Sequence, residues 1–297
     1  MNAYETTHAE TGKSCICRDF PDADSFWRQV AAEPAYQGHR SSRTTDNNTW
    51  SGTPSFEAAM ELATQGWPEG TEQCKKLAQS LTATVGSMTR VPEVVFDVTG
   101  DCLDMGAVME GSPEHWMSDQ ESEEEVRDQS HGRLIRISIN LFASCGVSSE
   151  NMQRRAAAIT ACVNLIEQSN RCAEVIGILA VQPSGGGSKH WALSFPIKRA
   201  DEPMQIDRLA FANGHTSMFR RILFSLGETL PEGKDFGYCA HGGYGYPDTL
   251  SSDHHLRGDL HFDRMSSRDD QRPFSSDELA LESVTKHMRD LGVIEAD

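Results

Sequence analysis

The chain has 297 residues, with 27 lysines and arginines against 44 aspartates and glutamates, for a formal charge of −17. A field of that sign repels nucleic-acid phosphates and anionic lipid unless basic residues gather on one face. The apolar share of 38% suffices for a core, no run nears the roughly 18 apolar residues of a membrane span, and the start lacks the basic-then-apolar layout of an export signal, so a cytoplasmic protein without membrane contact is expected.

Residues 1–45 are polar and poor in aliphatics; only DADSFWRQVAAEP (22–34) has a helical pattern, with Asp24 or Ser25 as N-cap. Such a stretch buries too little apolar area to offset its ordering entropy, so it reads as a largely disordered tail or docking arm. Residues 46–90 predict a small helical unit, with a helix from about 55 to 64 stopped by Gly66 and restarted after Pro68. Phe56, Ala59, Met60 and Ala63 share one face of it.

Residues 91–297 alternate strands and helices. VVFDVTG (94–100) predicts a strand, and an acidic insertion (112–130) a solvated loop. In RLIRISINLF (133–142), Ile135, Ile137, Ile139 and Leu141 point one way and Arg136, Ser138 and Asn140 the other. A helix over 150–168 keeps Met152, Ala156, Ile159, Val163 and Ile166 on one face. EVIGILAV (174–181) is a nearly continuous apolar run, as in strands buried on both faces of a parallel sheet. Together they predict a βαβ unit. GGGSK (185–189) reads as a flexible connection and not a Walker loop. WALSFPI (191–197) reads as an edge or near-edge strand because of Pro196. An amphipathic helix (215–228), a short strand (259–265) and a capped helix (275–292) complete the pattern. The expected fold class is α/β, a three-layer arrangement on a mostly parallel sheet.

In such a sheet, ligands bind beyond the carboxyl ends of the strands, which points to the turn NLFASCGVSS (140–149). Asn140 and Ser144 offer oxygens but no charge, and hard divalent ions ordinarily need a carboxylate; no metal and no cofactor are expected. The eight cysteines form no C-x-x-C pair, so ribbon and knuckle zinc sites and a redox motif are excluded. Cys239, His241, Asp253, His254, His255, His261 and Asp263 are metal-capable within a short span, yet lack H-x-x-x-H or H-E-x-x-H spacing. GYCAHGGYGYPDTL (237–250) reads as a packed, irregular connection, with base stacking on Tyr238, Tyr244 and Tyr246 as the functional alternative. Convergence of Arg133, Arg136, Arg154, Arg155, Arg220 and Arg221 would make a basic face suited to an acidic segment or a nucleic-acid backbone.

WSGTPSFEAAMELATQGWPEG, VFDVTGDCLDMGAVMEGSPEHW, the βαβ segments, and IDRLAFANGHTSMFRRILFSLGE followed by GYGYP together resemble an uncharacterised domain-of-unknown-function family found largely in bacteriophages, over roughly residues 48–297. That family is similar at its core to the von Willebrand factor A fold. The metal motif of that fold is D-x-S-x-S; here Asn140 stands for the Asp, Phe142 replaces the first Ser and Ser144 matches the second. The resemblance implies protein–protein adhesion or assembly through the carboxyl edge of the sheet and no established activity. The expectation is a phage-encoded, non-enzymatic interaction module whose partner-binding residues are Asn140, Phe142, Ser144, Ser148, Arg220 and Arg221. Its partner would be a phage or host protein, with a homo-oligomer as another setting, in the host cytoplasm or with the virion. A nucleic-acid-associated regulator and a metal-dependent enzyme of the Cys239–Asp263 region are the alternatives.

Overall fold

The computed structural model describes residues 3–7, 12–32, 41–45, 48–85, 93–99, 102–120, 134–168, 171–182, 189–235 and 243–291. Strands β1 (Tyr4–Thr7) and β2 (Ser14–Asp19) open the chain, followed by helices α1 (Ala23–Ala32), α2 (Asn48–Ser51), α3 (Phe56–Gln65) and α4 (Pro68–Val85). Next come β3 (Glu93–Asp97), β4 (Cys102–Leu103), α5 (Met105–Glu110) and β5 (Trp116–Gln120). The central unit is β6 (Leu134–Asn140), α6 (Ser149–Gln168), β7 (Cys172–Gln182) and β8 (Lys189–Lys198). Helix α7 (Ile206–Gly214), a π-helical turn (Met218–Leu223), α8 (Phe224–Thr229) and α9 (Pro231–Asp235) follow. The chain then forms β9 (Tyr246–Pro247), β10 (Leu260–Phe262), α10 (Arg268–Gln271) and α11 (Asp277–Asp290).

The large sheet has seven strands in the order β1-β2-β8-β7-β6-β10, with β9 added against β7. β6 runs parallel to β7 and to β10, and β2 parallel to β8, whereas β7–β8, β1–β2 and β7–β9 are antiparallel. The fold is therefore α/β as expected, but the sheet is mixed rather than mostly parallel. A six-residue connection (183–188) returns the chain from β7 to its neighbour, too short for a parallel crossover.

Alternation along the strands separates two faces. Ile135, Ile137 and Ile139 of β6, Val175, Leu179 and Val181 of β7, and Trp191, Leu193 and Phe195 of β8 join the main core with the buried residues of α1, α4, α6, α7 and α11. Ile178 and Ala180 of β7, Ala192 of β8 and Cys15 and Cys17 of β2 lie on the opposite face, where they pack with Leu250 and Leu256. The irregular segment around 248–258 thus covers the face on which a third, helical layer was expected. That segment has no helical or strand periodicity to bury, and its contacts are made by side chains one at a time.

Other expectations are corrected. Residues 14–32, read as tail, supply a sheet strand and a helix, because Cys15, Cys17, Phe26 and Val30 are buried; cysteine behaves here as a small apolar residue. Strand β8 lies inside the sheet, between β2 and β7. Pro196 is tolerated there because the β7–β8 register shifts beside it, from Val175↔Lys198 to Ile176↔Pro196, and a bulge removes the demand for a ladder N–H. Residues 94–97 belong to a separate antiparallel sheet, β3-β5-β4, and 116–120 of the acidic insertion form its middle strand rather than a loop. The 215–228 segment is buried all round, not amphipathic.

Candidate functional site

The carboxyl end of β6 is closed by the chain itself. The Asn140 amide donates to the Asp248 carbonyl at 2.8 Å, and its oxygen accepts from the Phe142 N–H at 3.2 Å. β9 pairs with Val181 and Gln182 just beyond the point where β6 ends opposite Ile178, so residues 246–248 roof the position. Below it, Arg155 of α6 donates to the carbonyls of Asn140, Phe262 and Asp263 at 3.1, 2.9 and 2.7 Å. Burial brings the pKa of this guanidinium down to about 10, so it carries its charge at neutral pH. A hard cation does not fit these residues: Asn140 is committed to the backbone on both sides, and a fixed positive charge holds the strand-end carbonyls.

Of the expected partner-binding residues, Asn140 and Phe142 are therefore buried, and Phe142 packs edge-on to Phe224. Ser144 is half-buried and Ser148 exposed, and Ser148 caps α6 by accepting from the Asn151 N–H at 3.1 Å. Arg220 and Arg221 lie inside the molecule. Arg221 donates to Thr53 Oγ1 at 2.9 Å and to the carbonyls of Ser42, Thr45 and Thr53, and Arg220 donates to the Trp50 carbonyl at 2.5 Å. They tie the N-terminal segments to the π-helical turn. Arg154 pairs with Asp277 and Arg136 with Glu174, and Arg133 lies outside the described residues. The five described arginines do not gather into one exposed basic face.

The metal-capable histidines reach different partners, although the His254 and His255 rings stack with centroids 4.6 Å apart. His261 contacts Ser138 Oγ at 2.8 Å, His255 meets Tyr4 at the outer end of the sheet at 2.5 Å, and His254 turns inward to Cys17 at 3.9 Å. Cys239 and His241 lie outside the described residues. What spacing could not reveal is that His254 meets Cys15 and Cys17, more than 230 positions away in the chain. The Cys15 and Cys17 sulfurs lie 3.7 Å apart, and all three ligand atoms fall within 4.8 Å of one another. The contact between the two thiols, with those to His254 and Thr6, lowers the pKa of the Cys17 thiol against its burial, while that of Cys15 is pushed up by the same contact and by burial. Beside them on β8, His190 is hydrogen-bonded through Nδ1 to the Asp248 carboxylate, and its buried Nε2 has no hydrogen-bond partner.

Residues 7–295 match a family described as Domain of unknown function (DUF7192). The chain belongs to that family. No curated protein and no solved structure matches it. The DUF7192 match spans β2, the helical unit and the βαβ core together, so it takes in both the strand-end closure and the cysteine–histidine cluster.

A further feature of this DUF7192 chain is the unit formed by residues 93–120. Asp104 caps α5 by accepting from the N–H groups of Gly106 and Ala107, and Gly111 ends it in the left-handed region at φ 74°. This short helix and its flanks hold Val98, Met105 and Met109 out to solvent, at 59, 64 and 86% exposure, with Leu103 and Val108 beside them in sequence and also exposed. Residues 93–120 contain seven carboxylates (Glu93, Asp97, Asp101, Asp104, Glu110, Glu114, Asp119) and no lysine or arginine.

Proposed function

We propose that the chain is a phage-encoded, non-enzymatic protein-interaction module, acting in the host cytoplasm or on the virion. The exposed apolar group of residues 98–109 carries this reading. A soluble protein gains nothing by leaving two methionines, two valines and a leucine in water on one small unit unless another surface covers them. Met is also over-used where a binding surface must adapt to its partner. The seven carboxylates and the absence of a counter-charge select the occupant: a protein with an apolar patch rimmed by lysine or arginine. A second copy of this chain would bring a charge of −17 against its own, so a different protein is the better match. The turn at Ser144–Ser148, exposed at Cys145, Gly146 and Ser148 and at the edge that a von Willebrand A-like core would use, is a second contact in this proposal. There Asn140 and Phe142 act as its buried support.

The test is parallel capture of tagged wild-type chain, a Met105→Glu/Met109→Glu variant and a Ser144→Arg variant from phage-infected cells, with native mass of what is recovered. The same basic partner should be recovered at one-to-one ratio with the wild type and lost with the methionine variant, whose circular dichroism stays unchanged. A partner held equally by wild type and both variants, or a homo-oligomer alone, overturns the reading.

A nucleic-acid-associated role rests on a basic face; Arg155, Arg220 and Arg221 are buried, so nothing in their placement favours it.

A further inference from the structure

We propose that Cys15, Cys17 and His254, joined by His190, form a binding site for one zinc ion on the face of the sheet covered by residues 248–258. Three observations converge on it. Cys15 and Cys17 are two apart on β2, so both project from the same face, and their sulfurs lie 3.7 Å from each other, with Cys17 Sγ 3.9 Å from His254 Nε2. Tetrahedral zinc, with Zn–S near 2.3 Å and Zn–N near 2.0 Å, sets its sulfurs about 3.8 Å apart and sulfur from nitrogen about 3.5 Å. Two of the three edges therefore stand close to those of such a tetrahedron, and the third is within 4.8 Å, without rearrangement of the strand.

His190 supplies the fourth donor. It is the register partner of Cys15 on the neighbouring parallel strand, so it shares that face. Its Nδ1 is bonded to the Asp248 carboxylate, which leaves the lone pair on Nε2, and that nitrogen is buried with no partner. A histidine oriented by a carboxylate through its other nitrogen is the usual second layer of a zinc site. Closure requires the His190 ring to swing toward Cys15. His254 is the weaker donor: its Nδ1 accepts from the Leu256 N–H at 3.2 Å, which places the ring proton on Nε2. Metal binding at Nε2 moves that proton to Nδ1, which gives up the Leu256 contact, and releases the two thiol protons to solvent.

The alternative fate of two adjacent thiols is a disulfide, and the strand opposes it. Two steps along a strand advance the backbone by about 6.6 Å, at the outer limit of the Cα separations a disulfide spans, and both edges of β2 are held by β1 and β8. The sulfurs meet at their tips and cannot join without breaking that pairing, whereas an ion between them needs no such movement.

The test uses the full-length chain, purified without an affinity tag, reduced, stripped with chelator and titrated with Zn²⁺ against a chromophoric competitor, with Co²⁺ as spectroscopic probe. The expected result is one equivalent of zinc and, with cobalt, intense visible bands of a tetrahedral thiolate site together with sulfur-to-metal charge transfer. Cys15→Ser and Cys17→Ser each abolish the charge-transfer band. His190→Ala and Asp248→Asn weaken affinity by roughly tenfold or more, and Cys145→Ser and Cys172→Ser, at exposed thiols, change nothing. Should a cysteine variant not fold, alkylation mapping of the wild type decides: zinc must shield Cys15 and Cys17 while leaving Cys145 and Cys172 reactive. Sub-stoichiometric zinc, cobalt spectra of an octahedral oxygen site, Cu⁺ binding without zinc binding, or zinc lost with Cys145→Ser overturns the proposal.

Discussion

At the end of β6, three carbonyls meet one guanidinium that burial has not neutralised. Replacing Arg155 by Met keeps the volume and removes the donors, leaving the carbonyls of Asn140, Phe262 and Asp263 unsatisfied. The expected loss of stability in urea unfolding is about 3 kcal/mol, from the cost of orphaned buried acceptors; a loss below about 1 kcal/mol would show that other groups hold the strand end. His215 gives a second residue-scale outcome. Its ring is stacked near Phe211 and edge-on to Trp67, with Nδ1 accepting from the Ser217 N–H, and burial lowers its pKa from 6.5 to about 4. The unfolded chain thus binds the proton more readily than the folded one. The stability due to the neutral ring is fully present above pH 6.5 and is lost as pH falls toward 4, by about 3 kcal/mol in all. His215→Gln should flatten that part of the stability–pH curve, and an unchanged slope would remove His215 as its source. Neither residue was legible in the sequence. Arg155 adjoins Arg154 on a helix whose apolar stripe marks only one face, and what buries its neighbouring side is α4, α7 and α11, packed over it from elsewhere in the chain.

Among the elements, β2 shows most clearly what pattern reading loses. SCICRD has too few aliphatics to register as a strand, yet its cysteines are buried and Arg18 pairs with Glu232 of α9 inside the protein. Glu232→Gln removes the charge that pairs with that guanidinium and should cost about 3–5 kcal/mol. The double variant Arg18→Met/Glu232→Leu should recover most of it. If both variants are equally unstable, the pair is not what binds β2 to α9. Elements whose own periodicity decides them were readable: β6 with its alternating isoleucines, α6 with its spacing, the parallel β6–α6–β7 unit, and α11 behind its Ser276 cap. Elements decided by partners were not. Pro196 signals an edge until a bulge is known to sit beside it, and the 215–228 segment shows a polar stripe whose arginines in fact bond inward to Trp50 and Thr53. The cysteine–histidine cluster belongs to this second kind, since no local spacing joins β2 to a turn near the end of the chain.

For the whole molecule, charge and exposed apolar area pull in one direction. A chain of net charge −17 keeps copies of itself apart, and the unit of residues 93–120 adds carboxylates around the side chains it leaves in water. In the sequence, acidity stood out only over 112–130, which takes in Glu114 and Asp119; the apolar side chains were not legible, because Val98, Leu103, Met105, Val108 and Met109 read equally well as core until their placement is known. The measurement that tests the central claim most directly is amide hydrogen exchange on the free chain and on the chain with its captured partner. Protection concentrated over residues 98–109, with a weaker change at 144–148, is the predicted result. Protection confined to other parts of the chain, with 98–109 exchanging as in the free protein, would contradict it.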